Sequence, residues 1–256
     1  MSLVRVSRPE EGVLLLQLDR PEARNALSRA TIHELASELS AAAGEESVRL
    51  AVLAGTGSPF SAGADIKEFV AEGGTILEDP RRRADWGTIE RFPKPVVAAV
   101  EGYSFGGGFE LMLLADIVVM AEDARLACPE INIGLIPGDG GTQRITRVAG
   151  KALASRLIMT GEPIDAATAL RAGLVSELAA SGRALERAME LAQTLATKPP
   201  LALRFAKAAI AAAYQTSLAG GLEFEHQATL RAFATEDRVE GTAAFKEKRP
   251  PVFRGR

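Results

Sequence analysis

The sequence contains few of the residues that carry thiol or metal chemistry. Its 256 residues include one cysteine and two histidines, His33 and His226. A single cysteine excludes an internal disulfide and a four-thiolate zinc site, and two histidines exclude a three-histidine metal centre. We therefore expect no metal site, and we expect any acid–base chemistry to depend on carboxylates.

The chain also lacks a strong charge of one sign and a long apolar run. Its formal net charge is −3, which gives no basis for predicting nucleic acid or an anionic membrane as a partner. No run of apolar residues is long enough for a membrane span, and the first residues lack the apolar core of a signal peptide. The sequence therefore predicts a cytoplasmic protein that binds neither nucleic acid nor membrane.

Short apolar runs alternate with helical patterns along the first two thirds of the chain. Residues 3–8 and 13–18 predict a hairpin, residues 29–43 predict a helix, and residues 49–54 and 95–100 predict strands. This alternation is typical of an α/β fold. From Thr142 onward the pattern becomes helical. Its last part carries an apolar stripe that is suited to packing against another subunit, formed by Leu222, His226, Leu230 and Phe233.

The segment at residues 68–85 is the least regular. It contains Gly73-Gly74, Pro80 and the run Arg81-Arg82-Arg83. These signals predict a mobile loop or a loosely packed helix, with the arginines in solvent or, alternatively, beside a phosphate.

Two turns of small residues are candidate anion-binding sites. The first, at residues 61–67, follows a strand, and a helix should begin near Asp65. The N–H groups of a helix start can hold an oxyanion or a phosphate, although a simple capped start explains the pattern equally well. The second turn, at residues 102–108, has three successive glycines that let a ligand approach the backbone. Glu110 follows it, either as a helix-dipole partner or as a catalytic group.

A third segment places a carboxylate in apolar surroundings. Glu130 follows a short predicted strand, and burial would raise its pKa and suit it to proton transfer. Asp139 lies in a glycine loop, where a turn or capping role is expected, and Cys128 is expected to be a small buried apolar residue. Two anion-binding turns and two carboxylates fit chemistry at the α and β carbons of a thioester.

Four longer motifs occur in a fixed order, at residues 60–67, 94–103, 106–111 and 129–144. Shorter ones occur at residues 20–27, 160–162, 172–175 and 240–249. In this order and spacing, the chain resembles the crotonase family, the enoyl-CoA hydratase/isomerase superfamily, over nearly its whole length. The resemblance implies an α/β fold in which a crotonase-like spiral of ββα units spans residues 1–195. A C-terminal helical trimerisation region would then span residues 196–256 and form a homotrimer or a dimer of trimers.

The resemblance also implies roles for four residues of the two turns and the carboxylate segment. The backbone N–H groups of Ala64 and Gly107 would form an oxyanion hole for the thioester carbonyl. Glu130 would deliver the α-proton as the principal acid/base, and Glu110 would orient the water. One glutamate would be ionised and the other neutral, because two close negative charges disfavour each other.

The implied ligand is an acyl-CoA thioester, and no separate cofactor is implied because coenzyme A is part of the substrate. Its nucleotide would lie along the first turn, with the Ala62 carbonyl near the adenine and with Asp65 and Ile66 beside Ala64. Lys248 would contact a phosphate, from this chain or from a neighbouring subunit. Arg24 would approach the nucleotide from the N-terminal loop.

The implied activity is that of an enoyl-CoA hydratase, a carbon–oxygen lyase of fatty acid β-oxidation. Three alternatives are an enoyl-CoA isomerase, a catabolic hydratase such as one of phenylacetate degradation that acts on a dicarboxylic acyl chain, and a non-catalytic relative that binds acyl-CoA or a protein or RNA partner. The presence of both glutamates favours hydration and argues against the non-catalytic alternative. The loop at residues 68–86 should border the acyl tail, but its sequence does not predict a chain length.

Overall fold

The computed structural model describes residues 2–256, with Phe69 and Glu72 described by their backbone alone. The strands in this range are β1 (Val4–Glu10), β2 (Val13–Leu18), β3 (Leu50–Gly55), β4 (Val96–Val100), β5 (Tyr103–Phe105), β6 (Ile117–Ala121), β7 (Arg125–Ala127), β8 (Ile164–Asp165) and β9 (Glu177–Ala179). The α-helices are α1 (Arg29–Gly44), α2 (Ile66–Glu72), α3 (Thr75–Glu78), α4 (Pro80–Glu90), α5 (Gly107–Met112), α6 (Gly141–Thr160), α7 (Ala166–Arg171), α8 (Ala184–Ala196), α9 (Pro200–Ala212), α10 (Leu218–Phe233) and α11 (Glu236–Glu247). Two short 3-10 helices span Pro21–Ala23 and Pro129–Ile133. The prediction of an α/β fold is confirmed.

The main sheet has six strands in the order β1-β2-β3-β4-β6-β9. The predicted hairpin is confirmed, because β1 and β2 pair antiparallel. The later pairs in this sheet are parallel. Every residue of β4 is buried and apolar, as expected for a parallel strand that is covered on both faces. A smaller sheet contains β5, β7 and β8.

Parallel pairing brings the carboxyl ends of β3 and β4 to the same edge of the main sheet. The chain that leaves β3 pairs with the chain that leaves β4 through an isolated bridge between Ser61 and Ser104. A second bridge, between Leu27 and Ala64, ties the same loop to the N-terminal segment. Strand β5 therefore lies inside the segment predicted as a glycine turn, and the two predicted anion-binding turns meet at one place.

The segment predicted as a mobile loop or a loosely packed helix contains the successive helices α2, α3 and α4, which agrees with the helical alternative. Pro80 does not break α4 but begins it, since the first helical residue needs no N–H donor. Asp79 caps the helix by accepting a hydrogen bond of 2.9 Å from the Arg81 N–H group. The buried side chains of Trp86 and Ile89 then hold α4 in the core.

The helical pattern predicted from Thr142 onward is confirmed by helices such as α6, α8, α9, α10 and α11. On α10, the apolar stripe is exposed in the single chain, with Leu222, Leu230 and Phe233 at 55%, 52% and 63% of their full accessibility. His226 is exposed too. The division at residue 195 stays a prediction. Within residues 2–256, no helix is both long and apolar enough to cross a membrane.

Candidate active site

Two backbone turns form one wall of the site. The first contains Gly63 and Ala64 and the second contains Gly106 and Gly107, at the start of α5. They pack so closely that a Cβ atom on Gly107 would lie 3.5 Å from the Ala64 nitrogen. Neither the Ala64 nor the Gly107 N–H group donates a hydrogen bond to another described residue. Two neighbouring N–H groups without acceptors are suited to binding an oxyanion.

Ala64 and Gly107 also line a small, partly open cavity. The cavity is lined by Leu27, Ser28, Arg29, Ile32, Ala64, Asp65, Glu68, Ile76, Arg82, Trp86, Gly107 and Asp139. Its apolar side chains can contact a short hydrocarbon chain, and its charged side chains come from four separate segments. The segment at residues 68–86, which was expected to border the acyl tail, contributes Ile76 of α3 and Arg82 and Trp86 of α4 to this lining.

Glu110 lies in the first turn of α5, as predicted, and only 2% of it is exposed. Its Oε1 atom accepts hydrogen bonds from the Asp139 and Gly141 N–H groups, at 2.8 and 2.7 Å. Burial raises the pKa of Glu110 to about 7 despite these bonds, and the negative charges of Asp139 and Glu130 act in the same direction. At neutral pH this carboxyl group can therefore either accept or release a proton.

Glu130 approaches the same turn from another element. It lies in the 3-10 helix Pro129–Ile133, which follows β7, where the sequence predicted a strand end. Its Oε1 atom would lie 2.7 Å from a Cβ atom on Gly106, so the carboxyl group touches the turn that carries the Gly107 N–H group. Its Oε2 atom is buried and has no hydrogen-bond partner among the described residues. Burial and the charge of Asp139 raise the pKa of Glu130, which favours a carboxyl group that holds its proton.

Asp139 occupies the turn before α6, as predicted, and also forms an ion pair that the sequence did not predict. Its carboxylate accepts a hydrogen bond from the Arg82 guanidinium, which belongs to α4. The two side chains are only 10% and 15% exposed, so the expectation of a solvated Arg82 is wrong. The reason is tertiary: 57 residues separate the partners, and α4 brings Arg82 across the cavity to the turn.

Most of the predicted nucleotide-binding residues lie on or beside the first turn, and Lys248 lies apart from them at the end of α11. Arg24 and Ala62 are neighbours, since the Ala62 N–H group donates to the Arg24 carbonyl at 3.0 Å. Asp65 forms an ion pair of 2.9 Å with Arg20 just before Ile66, which begins α2 and is half exposed. Lys248 ends α11, and within residues 2–256 no hydrogen bond or ion pair joins it to the other predicted site residues.

Cys128 lies beside this site without an acid–base role. The residue is fully buried, which confirms the prediction of a small buried apolar side chain. Burial raises the pKa of its thiol, and the charges of Glu130 and Glu110 add to the effect. In the part of the chain that the structure describes, no group of three histidine, cysteine, aspartate or glutamate side chains could hold a metal ion. The acid–base groups that remain at the site are carboxyls.

The arrangement has the parts needed to stabilise an enolate and to move protons beside it. Two N–H groups without acceptors can stabilise negative charge on a carbonyl oxygen. Glu110, with a pKa raised to about 7, can exchange a proton at neutral pH, and the pKa of Glu130 is raised as well, mainly by burial.

Comparisons with known proteins agree over the whole length of the chain. The model of the family described as "Enoyl-CoA hydratase/isomerase" matches residues 8–256. The 2,3-dehydroadipyl-CoA hydratase of Escherichia coli (strain K12) is 45% identical over 256 residues, which cover 100% of both chains. The mitochondrial enoyl-CoA hydratase of Pongo abelii is 41% identical over 94% of this chain and 83% of its own. The crystal structure of an enoyl-CoA hydratase from Bacillus anthracis superimposes with a TM-score of 0.95 at 37% identity and covers 100% of both chains.

Proposed function

Because this chain belongs to the enoyl-CoA hydratase/isomerase family, with a match over residues 8–256, we propose that it adds water across a trans-2-enoyl-CoA to give a 3-hydroxyacyl-CoA. The observation that carries this proposal is that the buried Glu110 and the partly buried Glu130 adjoin the turn of Gly107, which holds one of two neighbouring N–H groups without acceptors. Hydration needs both parts, since negative charge must be held on the thioester oxygen while a proton is moved at each end of the double bond.

The proposed reaction uses the two glutamates in opposite protonation states. The thioester carbonyl accepts hydrogen bonds from the Ala64 and Gly107 N–H groups. The ionised Glu110 takes a proton from water as the water oxygen bonds to the β-carbon, and the π electrons move to the thioester as an enolate. The neutral Glu130 then gives its proton to the α-carbon, which restores the carbonyl. Return of one proton from Glu110 to Glu130 through solvent completes the cycle, and addition is syn if both carboxyl groups face one side of the substrate.

The hydrogen bonds of the two glutamates support this division of roles. Burial raises the pKa of Glu130, so the folded chain favours its protonated form more than water does. The Glu130 Oε2 atom has no partner within the described chain, so a proton there is not held by another protein group. Glu110 is different, because two N–H groups stabilise its anion and leave it able to orient and activate water.

A second substrate class is favoured by one relative. The hydratase named for 2,3-dehydroadipyl-CoA is 45% identical over the full length of both chains, and that acyl group ends in a carboxylate. We therefore include enoyl-CoA thioesters of dicarboxylic acids among the proposed substrates, together with unsubstituted enoyl-CoA thioesters of β-oxidation.

The test is the reaction of the purified full chain with crotonyl-CoA. We expect loss of the absorbance of the conjugated enoyl thioester, a mass increase of one water, and incorporation of ¹⁸O from labelled water at the β-carbon. A 3-enoyl-CoA supplied in parallel tests the alternative, since a shift of its double bond without water uptake would identify an isomerase. Failure to consume 2-enoyl-CoA thioesters of any chain length would overturn the proposal.

We also propose that the chain assembles as a homotrimer or a dimer of trimers in the cytoplasm. The exposed apolar residues of α9 and α10, including Ile210, Leu222 and Phe233, support a subunit interface. In such an assembly, Arg24 and Lys248 are proposed to contact the nucleotide, with Lys248 supplied by this chain or a neighbour. Sedimentation equilibrium should give three or six times the chain mass, and a monomer at micromolar concentration would contradict this arrangement.

A further inference from the structure

Arg82 brings a largely buried positive charge to the wall of the cavity. Its guanidinium donates from Nη2 to the Asp139 carboxylate and lies 5.9 Å from the centre of the Trp86 ring. An arginine side chain has five N–H donors, and among the described residues no other acceptor bonds to those of Arg82. None of these remaining nitrogens is a buried atom without a partner, so they stay accessible, and a charged guanidinium with open donors at the cavity wall can bind an anion.

Trp86 adds a second donor without an acceptor. Its side chain lines the same cavity, and its Nε1–H group is buried with no partner in the described part of the chain. The residue lies one helical turn after Arg82 on α4, so the two side chains are on the same face of this helix. One helix therefore places Arg82 and Trp86 in the lining of the cavity that Ala64 and Gly107 also line.

The acidic side chains of the cavity are already bound to other groups. Asp65 is paired with Arg20, and Glu68 accepts hydrogen bonds of 3.0 and 3.3 Å from the Arg29 N–H group. Asp139 is the only one of the three that is bound to Arg82. Asp139 accepts from the Nη2 atom of the guanidinium, which leaves the other N–H groups of Arg82 for a second acceptor.

We propose that Arg82 is a specificity-determining residue that binds the free carboxylate of an enoyl-CoA thioester of a dicarboxylic acid. This inference rests on the proposed hydratase function and names a substrate class for the same site. The acyl methylene groups would pass along the apolar lining, and the far carboxylate would accept hydrogen bonds from the guanidinium and from Trp86. Asp139 orients the guanidinium, and it keeps the charge of Arg82 balanced when the cavity holds no acid.

Binding measurements test the inference without relying on turnover. Adipyl-CoA and hexanoyl-CoA are saturated, have the same number of acyl carbons and differ in the terminal carboxylate. By calorimetry, we expect the full chain to bind adipyl-CoA about 10-fold more tightly, as one charge-assisted pair would give. Arg82→Met should abolish this preference, and Arg82→Lys should retain part of it, because lysine keeps the charge without the planar fork. Arg83→Met is the control, since Arg83 is exposed on the same helix, and it should keep the preference.

Turnover then separates this inference from the proposed function. With trans-2-hexenedioyl-CoA and trans-2-hexenoyl-CoA, Arg82→Met should lower the ratio of the two kcat/KM values by about 10- to 100-fold, mainly through KM for the diacid. The double variant Arg82→Met/Asp139→Asn removes both charges of the ion pair. If it restores the wild-type ratio, Asp139 without its partner causes the loss and the inference is wrong. An unchanged ratio in Arg82→Met would also overturn it, whereas wild-type binding preference without any hydration would overturn the proposed function alone.

Discussion

Glu130→Gln is expected to lower kcat for the hydration of crotonyl-CoA by about 10²- to 10⁴-fold, and Glu110→Gln by about 10²-fold or more, as for other positioned acid–base groups. The amide has nearly the shape of the carboxyl group, so it keeps the packing and removes the exchangeable proton. Both variants should still bind a saturated acyl-CoA, because the N–H groups of Ala64 and Gly107 belong to the backbone. Steady-state kinetics and calorimetry with butyryl-CoA check the two parts.

The larger decrease in kcat is expected for Glu130→Gln because, in the proposed mechanism, Glu130 is the group that gives the proton to the α-carbon. Its Oε2 atom is buried without a partner among the described residues, and a glutamine there can neither give nor take the α-proton. Solvent exchange of the α-proton of butyryl-CoA should therefore be slowed in Glu130→Gln more than in Glu110→Gln. Equal turnover of both variants and the wild type would contradict the two-glutamate mechanism.

Thermal unfolding separates a catalytic role of Glu110 from a structural one. If Glu110 only stabilised the fold, its replacement would lower the Tm at every pH. The folded state raises the pKa of Glu110 from 4.5 to about 7, mainly by burial. A raised carboxyl pKa destabilises the fold where the group ionises, so the cost grows as pH rises from about 4.5 to 7 and is constant above that. The Tm of Glu110→Gln relative to the wild type should therefore be more favourable at pH 8.5 than at pH 4.5, while kcat remains low at both.

The sequence predicted those parts of the site that lie on short local motifs. Gly107 and Glu110 belong to one turn of chain, and the buried setting of Glu130 was expected from the apolar residues around it. The Arg82–Asp139 ion pair was not predicted, because 57 residues separate its partners and a run of three arginines has the composition of a solvated surface. Pro80 favoured a loop prediction for another reason. A proline inside a helix disrupts it, whereas a proline at the first position is compatible with a helix, and the sequence alone does not distinguish the two positions.

The exposed apolar stripe on α10 shows a limit of predictions from hydrophobic periodicity. Its period predicted a helix correctly, and the helix is present from Leu218 to Phe233. The same pattern also predicted packing against another subunit, and within the single chain the apolar side chains of the stripe are exposed. Periodicity gives the face of a helix that is apolar, and it does not give the partner that covers this face.

Gly106→Ala is expected to lower kcat by about 10²-fold, because a shift of about 1 Å in a catalytic group is enough for such a loss. A Cβ atom at this position would lie 2.7 Å from the Glu130 Oε1 atom, and the backbone φ of +51° is one that alanine rarely adopts. The carboxyl group must therefore move away from the turn that carries the Gly107 N–H group. Steady-state kinetics with crotonyl-CoA measure the loss, and the free energy of unfolding should fall by only about 1–2 kcal/mol.

Gly182→Ala is the matched control for backbone strain. Gly182 has a φ of +78° in the turn before α8, and a Cβ atom there would meet no atom within 4 Å. It should lose similar stability and keep its kcat. A double-mutant cycle then locates the cause, because Gly106→Ala should cost little further activity once Glu130 is already glutamine. If the full loss persists in that background, the substitution acts through the Gly107 N–H group instead, and the contact with Glu130 does not control the position of the acid.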